Sequence, residues 1–203
     1  MAEIGNDIRK AVTILNVGGL VAVPTETVYG LAGNALDESA VREIYRVKQR
    51  PLDKPLAIQL SRVEDIMEYC IEIPKEALVL ARKYWPGPLT LVLKKSNKVP
   101  DIVTSGQPTV GIRIPNHPVT LELLKQLDYP LAVPSANISG YTSPKNTSSV
   151  NQQLPEISYI LEGGSCAVGK ESTLVSLVDK KLKILRHGAI PKDDILKTLK
   201  MKL

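Results

Sequence analysis

The chain is poor in the residues that build metal and thiol centres. Its two cysteines, Cys70 and Cys166, lie far apart and without metal-ligand spacing, and its two histidines, His117 and His187, cannot complete an ordinary zinc site with so few thiols. No protein-held metal is therefore expected. No apolar run approaches the roughly 20 residues that span a bilayer, so no membrane partner is expected. The N-terminus, MAEIGNDIRK, has no apolar leader. Two reduced thiols in a cytoplasmic protein follow as the expectation. Covalent catalysis is not signalled either: there is no evident Ser-His-Asp or Cys-His set, no carboxylate cluster of the tight two-metal kind, and no G-x-G-x-x-G after a strand.

One phosphate-binding signature comes close. In GGSCAVGKESTLV, Gly164, Gly169 and Lys170 fall on the marks of G-x-x-x-x-G-K-[ST], but Glu171 stands where the hydroxyl belongs and Ser172 arrives one place late. A P-loop needs a helix after it, and TLVSLV reads as a strand, so no helix N-terminus would face the phosphates. Only 33 residues follow Lys170, too few for the rest of such a sheet and its metal-holding aspartate. The loop is not expected to bind nucleotide in that manner.

What is present is an ordinary globular composition, 43% apolar and 23% charged, with a net charge of +5. The segment from Asp179 to Leu203 holds eight Lys/Arg against three Asp, so it carries the whole excess. It reads as a solvated basic face or as an RNA-contacting surface.

Helical and extended patterns alternate along the chain. Asn6 is positioned to cap a helix with Ile8, Ala11, Val12 and Leu15 on one face, ended by Gly18-Gly19. LVAVP reads as a buried strand, and Glu38 to Lys48 as a helix with Ala40, Val41, Ile44 and Tyr45 inward. PLAIQL is a strand, SRVE (Ser61 to Glu64) a capping box opening a third helix, and Pro74 the first turn of a fourth that stops near WPGP. LTLVL and TVGIRIP are strands, Pro118 starts another helix, and LAVP and ISYIL are strands. TLVSLVDKKLKILR reads as a hairpin turning near Asp179-Lys180, and PKDDILKTLK as a closing helix. One mixed α/β domain is the economical reading.

Three buried strands end in proline and run into small polar residues: VAVP into TET, IRIP into NHP, LAVP into SANISG. Thr25, Thr27, Asn116, Ser135, Asn137 and Ser139 at these ends can line one crevice, where ligands of open α/β sheets bind. Lys48, Arg50 and Lys54 cluster in VKQRPLDKP at a helix exit. Arg113 lies inside an apolar strand, where an arginine is rarely buried without an anion, and Arg186 in LKILRHG is of the same type. These cations converging on one crevice would make a polyanion site, suited to charge stabilisation of phosphoryl or nucleotidyl transfer.

At this point VPTETVYGLAGNAL, KQRPLDKPLAI, WPGPLTLVL, PTVGIRIPNHP, PLAVPSANISG, ESTLVSL and ILRHGAI, in order and at matching spacing from about Leu20 to Ile190, resemble the successive signatures of the YrdC-like family. The resemblance implies an α/β fold of α+β type, a single domain over 4–203 with a twisted mixed β-sheet flanked by helices. It implies a nucleotidyltransferase in tRNA modification: L-threonine and bicarbonate give a carbamate that attacks the α-phosphate of ATP, releasing pyrophosphate and leaving an adenylate for threonylcarbamoyladenosine. Through the resemblance Thr27, Arg113, Ser135 and Ser172 would contact threonine or its carbamate, and Arg50, Lys54, Thr109, Asn137 and Arg186 would hold ATP. Lys48 would add charge near the phosphates, Lys48, Arg50 and Arg113 being the catalytic set, with Mg²⁺ accompanying the triphosphate. The implied partners include tRNA and the threonylcarbamoyl-transferase machinery.

The chain departs from the family pattern in three places. Gln59 stands where histidine is common, His187 replaces proline in LRPG, and Lys145 replaces the hydroxyl of SPT, where lysine can still reach a phosphate of ATP. The Ser/Thr-rich stretch YTSPKNTSS is a candidate lid. Rival readings are a carbamoyl-adenylate-forming relative, whose zinc-finger CxxC pairs are missing here, a YciO-type paralogue, and a non-catalytic RNA-binding module resting on the basic C-terminal segment.

Overall fold

The computed structural model describes residues 1–201, Lys180 by its backbone only. Lys202, counted above in the basic segment, and Leu203, the end of the expected domain, lie outside the described residues.

Among the described residues ten strands form one mixed sheet: β1 (Glu3–Gly5), β2 (Val21–Val23), β3 (Gly30–Asn34), β4 (Ala57–Gln59), β5 (Leu89–Lys94), β6 (Thr109–Arg113), β7 (Leu131–Ala132), β8 (Tyr159–Leu161), β9 (Thr173–Ser176) and β10 (Lys183–Arg186). Their spatial order is β1-β8-β2-β3-β7-β4-β6-β5-β9-β10. Pairing is parallel at β1/β8, β8/β2, β4/β6 and β5/β9 and antiparallel elsewhere. The helices are α1 (Ile8–Asn16), α2 (Glu38–Val47), α3 (Ile66–Tyr69), α4 (Lys75–Tyr84), α5 (Asp101–Thr104), α6 (Pro118–Lys125), α7 (Thr147–Gln153) and α8 (Lys192–Thr198).

The two faces of the sheet are covered differently. In β2, Val21 and Val23 pack with Ala11 and Leu15 of α1 and Leu123 and Leu124 of α6, whereas Ala22 joins the larger core on the opposite face with Ile44, Leu80 and Ile112. That alternation is the period-2 geometry of a strand buried on both sides. Helices α1 and α6 pack over the β8-β2-β3-β7 half of their face. The β4-β6-β5-β9 half of the same face turns Gln59, Gly111, Arg113, Thr90 and Leu174 into an open cleft.

Several local expectations need correction. Asp7, not Asn6, caps α1, its carboxylate accepting from the Lys10 amide at 3.2 Å; a carboxylate there also suits the helix dipole. SRVE does not form a capping box: the Ser61 hydroxyl donates to the Asp65 carboxylate, and α3 opens only after Asp65. Helix α2 ends at Val47, with Lys48 as its C-cap, and Pro74 is the N-cap of α4 rather than part of its first turn. Strand β3 was not legible because GLAGN holds two glycines and is buried on both faces, so it shows no alternation. β1, which starts one residue before the expected boundary, and α5 are too short to show a period, and α7 is polar. Asn146 caps α7 by accepting from the Ser149 amide at 2.9 Å, so the latter part of YTSPKNTSS is a helix start. The expected hairpin forms as β9 and β10, joined through a 3-10 turn at Val178–Lys180.

Candidate active site

The open half-face is the floor of a cleft of about 510 Å³, a size suited to a small organic ligand. Its walls bring together Thr27, Arg50, Lys54, Thr109, Arg113, Ser135, Ser172 and Arg186. Of the strand-end residues, Thr25, Thr27 and Ser135 line it, while Asn116, Asn137 and Ser139 do not.

Arg113 is held most tightly. Its Nε donates to the Gly87 carbonyl at 3.1 Å, and Nη2 donates to Thr27 Oγ1 at 3.0 Å and pairs with Glu26 Oε2 at 2.7 Å. Gly87 belongs to the WPGP turn after α4, and its own amide donates to the Ile114 carbonyl, so the turn is pinned beside Arg113. Thr27 Oγ1 lies 2.8 Å from Thr25 Oγ1, and Glu26 Oε2 also accepts from the Asn116 amide at 3.1 Å. The buried arginine does have its anion, and it is internal. Burial lowers the guanidinium from its ordinary value while Glu26 pulls it back.

Arg186 enters the cleft because the β9/β10 register shifts between Ile184 and Arg186, a bulge that re-aims the side chain. It donates to the Ser172 carbonyl at 3.1 Å and to Ser172 Oγ at 3.0 Å, and it pairs with Glu171 at 2.7 Å. Ser172 Oγ is 2.7 Å from Thr90 Oγ1, and Glu171 accepts from Ser143 Oγ at 3.1 Å. Gly188 is required here, because a Cβ would stand 2.3 Å from the Ser172 carbonyl carbon and the Thr173 nitrogen.

Arg50 and Lys54 form the other end. Arg50 donates to the carbonyls of Lys54 and Pro55, each at 3.0 Å, closing the turn after α2. Burial lowers its guanidinium from the ordinary value, in part offset by Tyr45 and Glu171. Among the described residues neither Arg50 nor Lys54 has a carboxylate within ion-pair distance.

Three expected site residues are not brought onto the cleft wall. Lys48 is buried, and its ammonium donates to the carbonyls of Ser135 and Asn137, the latter at 2.6 Å. Burial first, then Arg50, pushes its pKa down to about 7. It braces the LAVPSAN strand end from behind. The Asn137 amide donates to the Ile138 and Tyr141 carbonyls, each at 2.8 Å, and its Oδ1 is buried without a partner. Lys145 lays its stem against Gly169. Gln59 lines the cleft beside Arg113, its register partner, and also borders a second cavity of about 360 Å³ with Tyr69 and Tyr129.

The near-P-loop is not followed by the helix that a P-loop needs. Strand β9 follows it, Gly164 accepts a hydrogen bond from the Tyr29 hydroxyl at 3.0 Å, and the Val168 amide donates to the Glu26 carbonyl at 2.8 Å. Residues 163–169 therefore pack over the segment that holds Arg113.

A model of the Sua5/YciO/YrdC family, described as telomere recombination, matches residues 13–188. The chain belongs to this family. It is 45% identical over 193 residues to the threonylcarbamoyl-AMP synthase of Pyrococcus abyssi, covering 95% of this chain and 57% of that one. It is 40% identical over 190 residues to the threonylcarbamoyl-AMP synthase of Bacillus subtilis, covering 93% and 55%. The crystal structure of P. abyssi Sua5 complexed with L-threonine matches with a TM-score of 0.94 at 42% identity, over 98% of this chain and 61% of that chain. The chain thus spans little more than half the length of these curated relatives.

Two residues of this family member were missed in the sequence: Glu26 and Glu171, the carboxylates on Arg113 and Arg186. Each sits inside a motif singled out above, VPTETVYG and EST, but pairing across the sheet leaves no local signal. Among the described residues no group of three or more His, Cys, Asp or Glu could hold a metal ion, and no helix is long and apolar enough to cross a membrane.

Proposed function

We propose that the chain is a threonylcarbamoyl-AMP synthase, converting L-threonine, bicarbonate and ATP into L-threonylcarbamoyl-adenylate and pyrophosphate for threonylcarbamoyladenosine in tRNA. The observation that carries the reading is the meeting of Arg50, Lys54, Arg113 and Arg186 on one cleft with the hydroxyls of Thr27, Thr109, Ser135 and Ser172. Such a set answers anionic groups without a covalent nucleophile. The relatives' names and the L-threonine bound to P. abyssi Sua5 support the same substrates.

In this reading the threonine amine and bicarbonate form a carbamate with loss of water. A carbamate oxygen then attacks the α-phosphorus, the bond to the β-phosphate bridging oxygen breaks, and pyrophosphate leaves. Arg113 and Ser172 take the amino-acid end. Arg50, Lys54 and Arg186 face the phosphates, where charge grows on the non-bridging oxygens and the leaving group. Mg²⁺ would accompany ATP as part of the substrate and would supply charge neutralisation of the phosphates. The donor set fits a guest ion of that kind: Glu171 is engaged by Arg186 and Ser143, and Asp53 is the other carboxylate on the cleft wall. Lys48 acts by bracing Ser135. The reading carries with it a cytoplasmic setting, and tRNA and the threonylcarbamoyl-transferase machinery as downstream partners.

The test is pyrophosphate release by the pure protein. Release that requires ATP, L-threonine and bicarbonate together is expected; release independent of threonine overturns the proposal. Exposed Lys181 and Lys183 carry the RNA-contacting part of the reading, and tRNA binding unchanged by K181E/K183E overturns that part.

A further inference from the structure

We propose that Glu26 is a positioning residue that fixes which edge of Arg113 meets the amino-acid ligand. The proposal rests on the synthase reading and concerns how its amino-acid end is built.

A guanidinium presents N–H groups on three nitrogens in one rigid plane. In Arg113, Nε is taken by the Gly87 carbonyl, and Nη2 by Thr27 Oγ1 and Glu26 Oε2. Nη1 alone is left for a ligand. A carboxylate arriving from the cleft therefore meets one nitrogen in a fixed place, not a freely rotating fork. Glu26 does not line the cleft; it acts through Arg113.

Its own hold is suited to that task. Oε2 also accepts from the Asn116 amide, and the Glu26 main-chain carbonyl accepts from the Val168 amide. The side chains of Glu26 and Arg113 are only 12% and 9% exposed, so solvent screens the pair little. The pair is also neutral as a unit, which separates two roles. If Glu26 served only to cancel charge, removing it would leave Arg113 a net cation and tighten binding of a carboxylate. If it holds the guanidinium in place, removing it weakens that binding.

The experiment compares the parent with E26Q, which keeps shape and loses charge, and with E26A. In E26Q the KM for L-threonine is expected to rise about tenfold with the KM for ATP within twofold. An unchanged or lower threonine KM, or both KM values rising together, overturns the proposal. In E26A, acetate is expected to restore part of the threonine affinity and potassium chloride at equal ionic strength is not; equal effects of the two salts overturn it. Solvent exchange of the Arg113 Nε–H, followed by NMR, reads the restraint without turnover and is expected to be at least ~10-fold faster in E26Q. Equal exchange rates overturn the positioning role. A parent that lacks threonine-dependent turnover instead overturns the synthase reading, and the exchange rates then decide this one alone.

Discussion

The two ends of the cleft hold their cations in different ways. At one end Arg113 is buried, tied by a carbonyl, a hydroxyl and a carboxylate, and neutralised by Glu26. At the other, Arg50 is tied only to carbonyls and Lys54 stands exposed, with no carboxylate in ion-pair range of either among the described residues. A neutral, rigid end selects by geometry and suits a single carboxylate. A net-positive, solvent-facing end selects by charge and suits a polyphosphate. Arg186 is intermediate: it is paired with Glu171, yet its side chain is 44% exposed.

The largest effect is expected at the rigid end. R113A leaves Glu26 buried without its partner, so urea unfolding should show a loss of about 3–5 kcal/mol at neutral pH, with activity falling at least ~10-fold. An unfolding midpoint unchanged from the parent, or full activity, would contradict that account.

A smaller effect is expected from loosening the wall between the two ends. K48M removes both hydrogen bonds to the Ser135 and Asn137 carbonyls and should cost about 1–3 kcal/mol. Lys48 titrates near 7 folded against an ordinary 10.5. Between those values the unfolded chain binds the proton that the folded chain has released. This group's contribution to stability therefore rises with pH across that window, and the penalty for charging it is full below it. Parent minus K48M stability, measured from pH 6.5 to 10, should show that slope; a flat difference would mean that Lys48 stays charged.

The smallest change to stability is expected at the open end, where the effect is on turnover. R50A should lower the rate at least ~10-fold, about 1.4 kcal/mol, mostly through the KM for ATP. The ATP KM of the parent should rise with salt more steeply than its threonine KM, because Lys54 is exposed and Arg50 half-buried, whereas the Arg113–Glu26 pair is buried. Equal salt slopes would erase the distinction between the two ends.

Much of this was legible locally. The periodicity of α1, α2 and the β9/β10 hairpin depends on neighbours within one element, and the proline-ended strands marked one side of the cleft. Thr27 stood out at the end of a proline-ended strand, Arg113 as a cation inside an apolar strand and Arg50 as a cation in a stiff turn, whereas Ser172 came only through the resemblance of EST to the family motif. β3 hid behind its glycines, and Asn137 and Lys145 looked like cleft residues because adjacency in sequence says nothing about which way a loop side chain turns.

The sequence alone determined which side chains are available: the five cations Lys48, Arg50, Lys54, Arg113 and Arg186, a set of hydroxyls, and no protein metal centre expected from two cysteines and two histidines. It also determined that the GxxxxGK stretch leads into a strand, since Ser172 to Val178 carries no helical period. Only the tertiary structure decided how those charges are used. Lys48 became a buried brace, Arg113 and Arg186 acquired private carboxylates, and Arg50 and Lys54 did not. Such assignments depend on distances between residues as far apart as Glu26 and Arg113, set by strand order and by which half of a sheet face the helices leave uncovered. No local propensity encodes them.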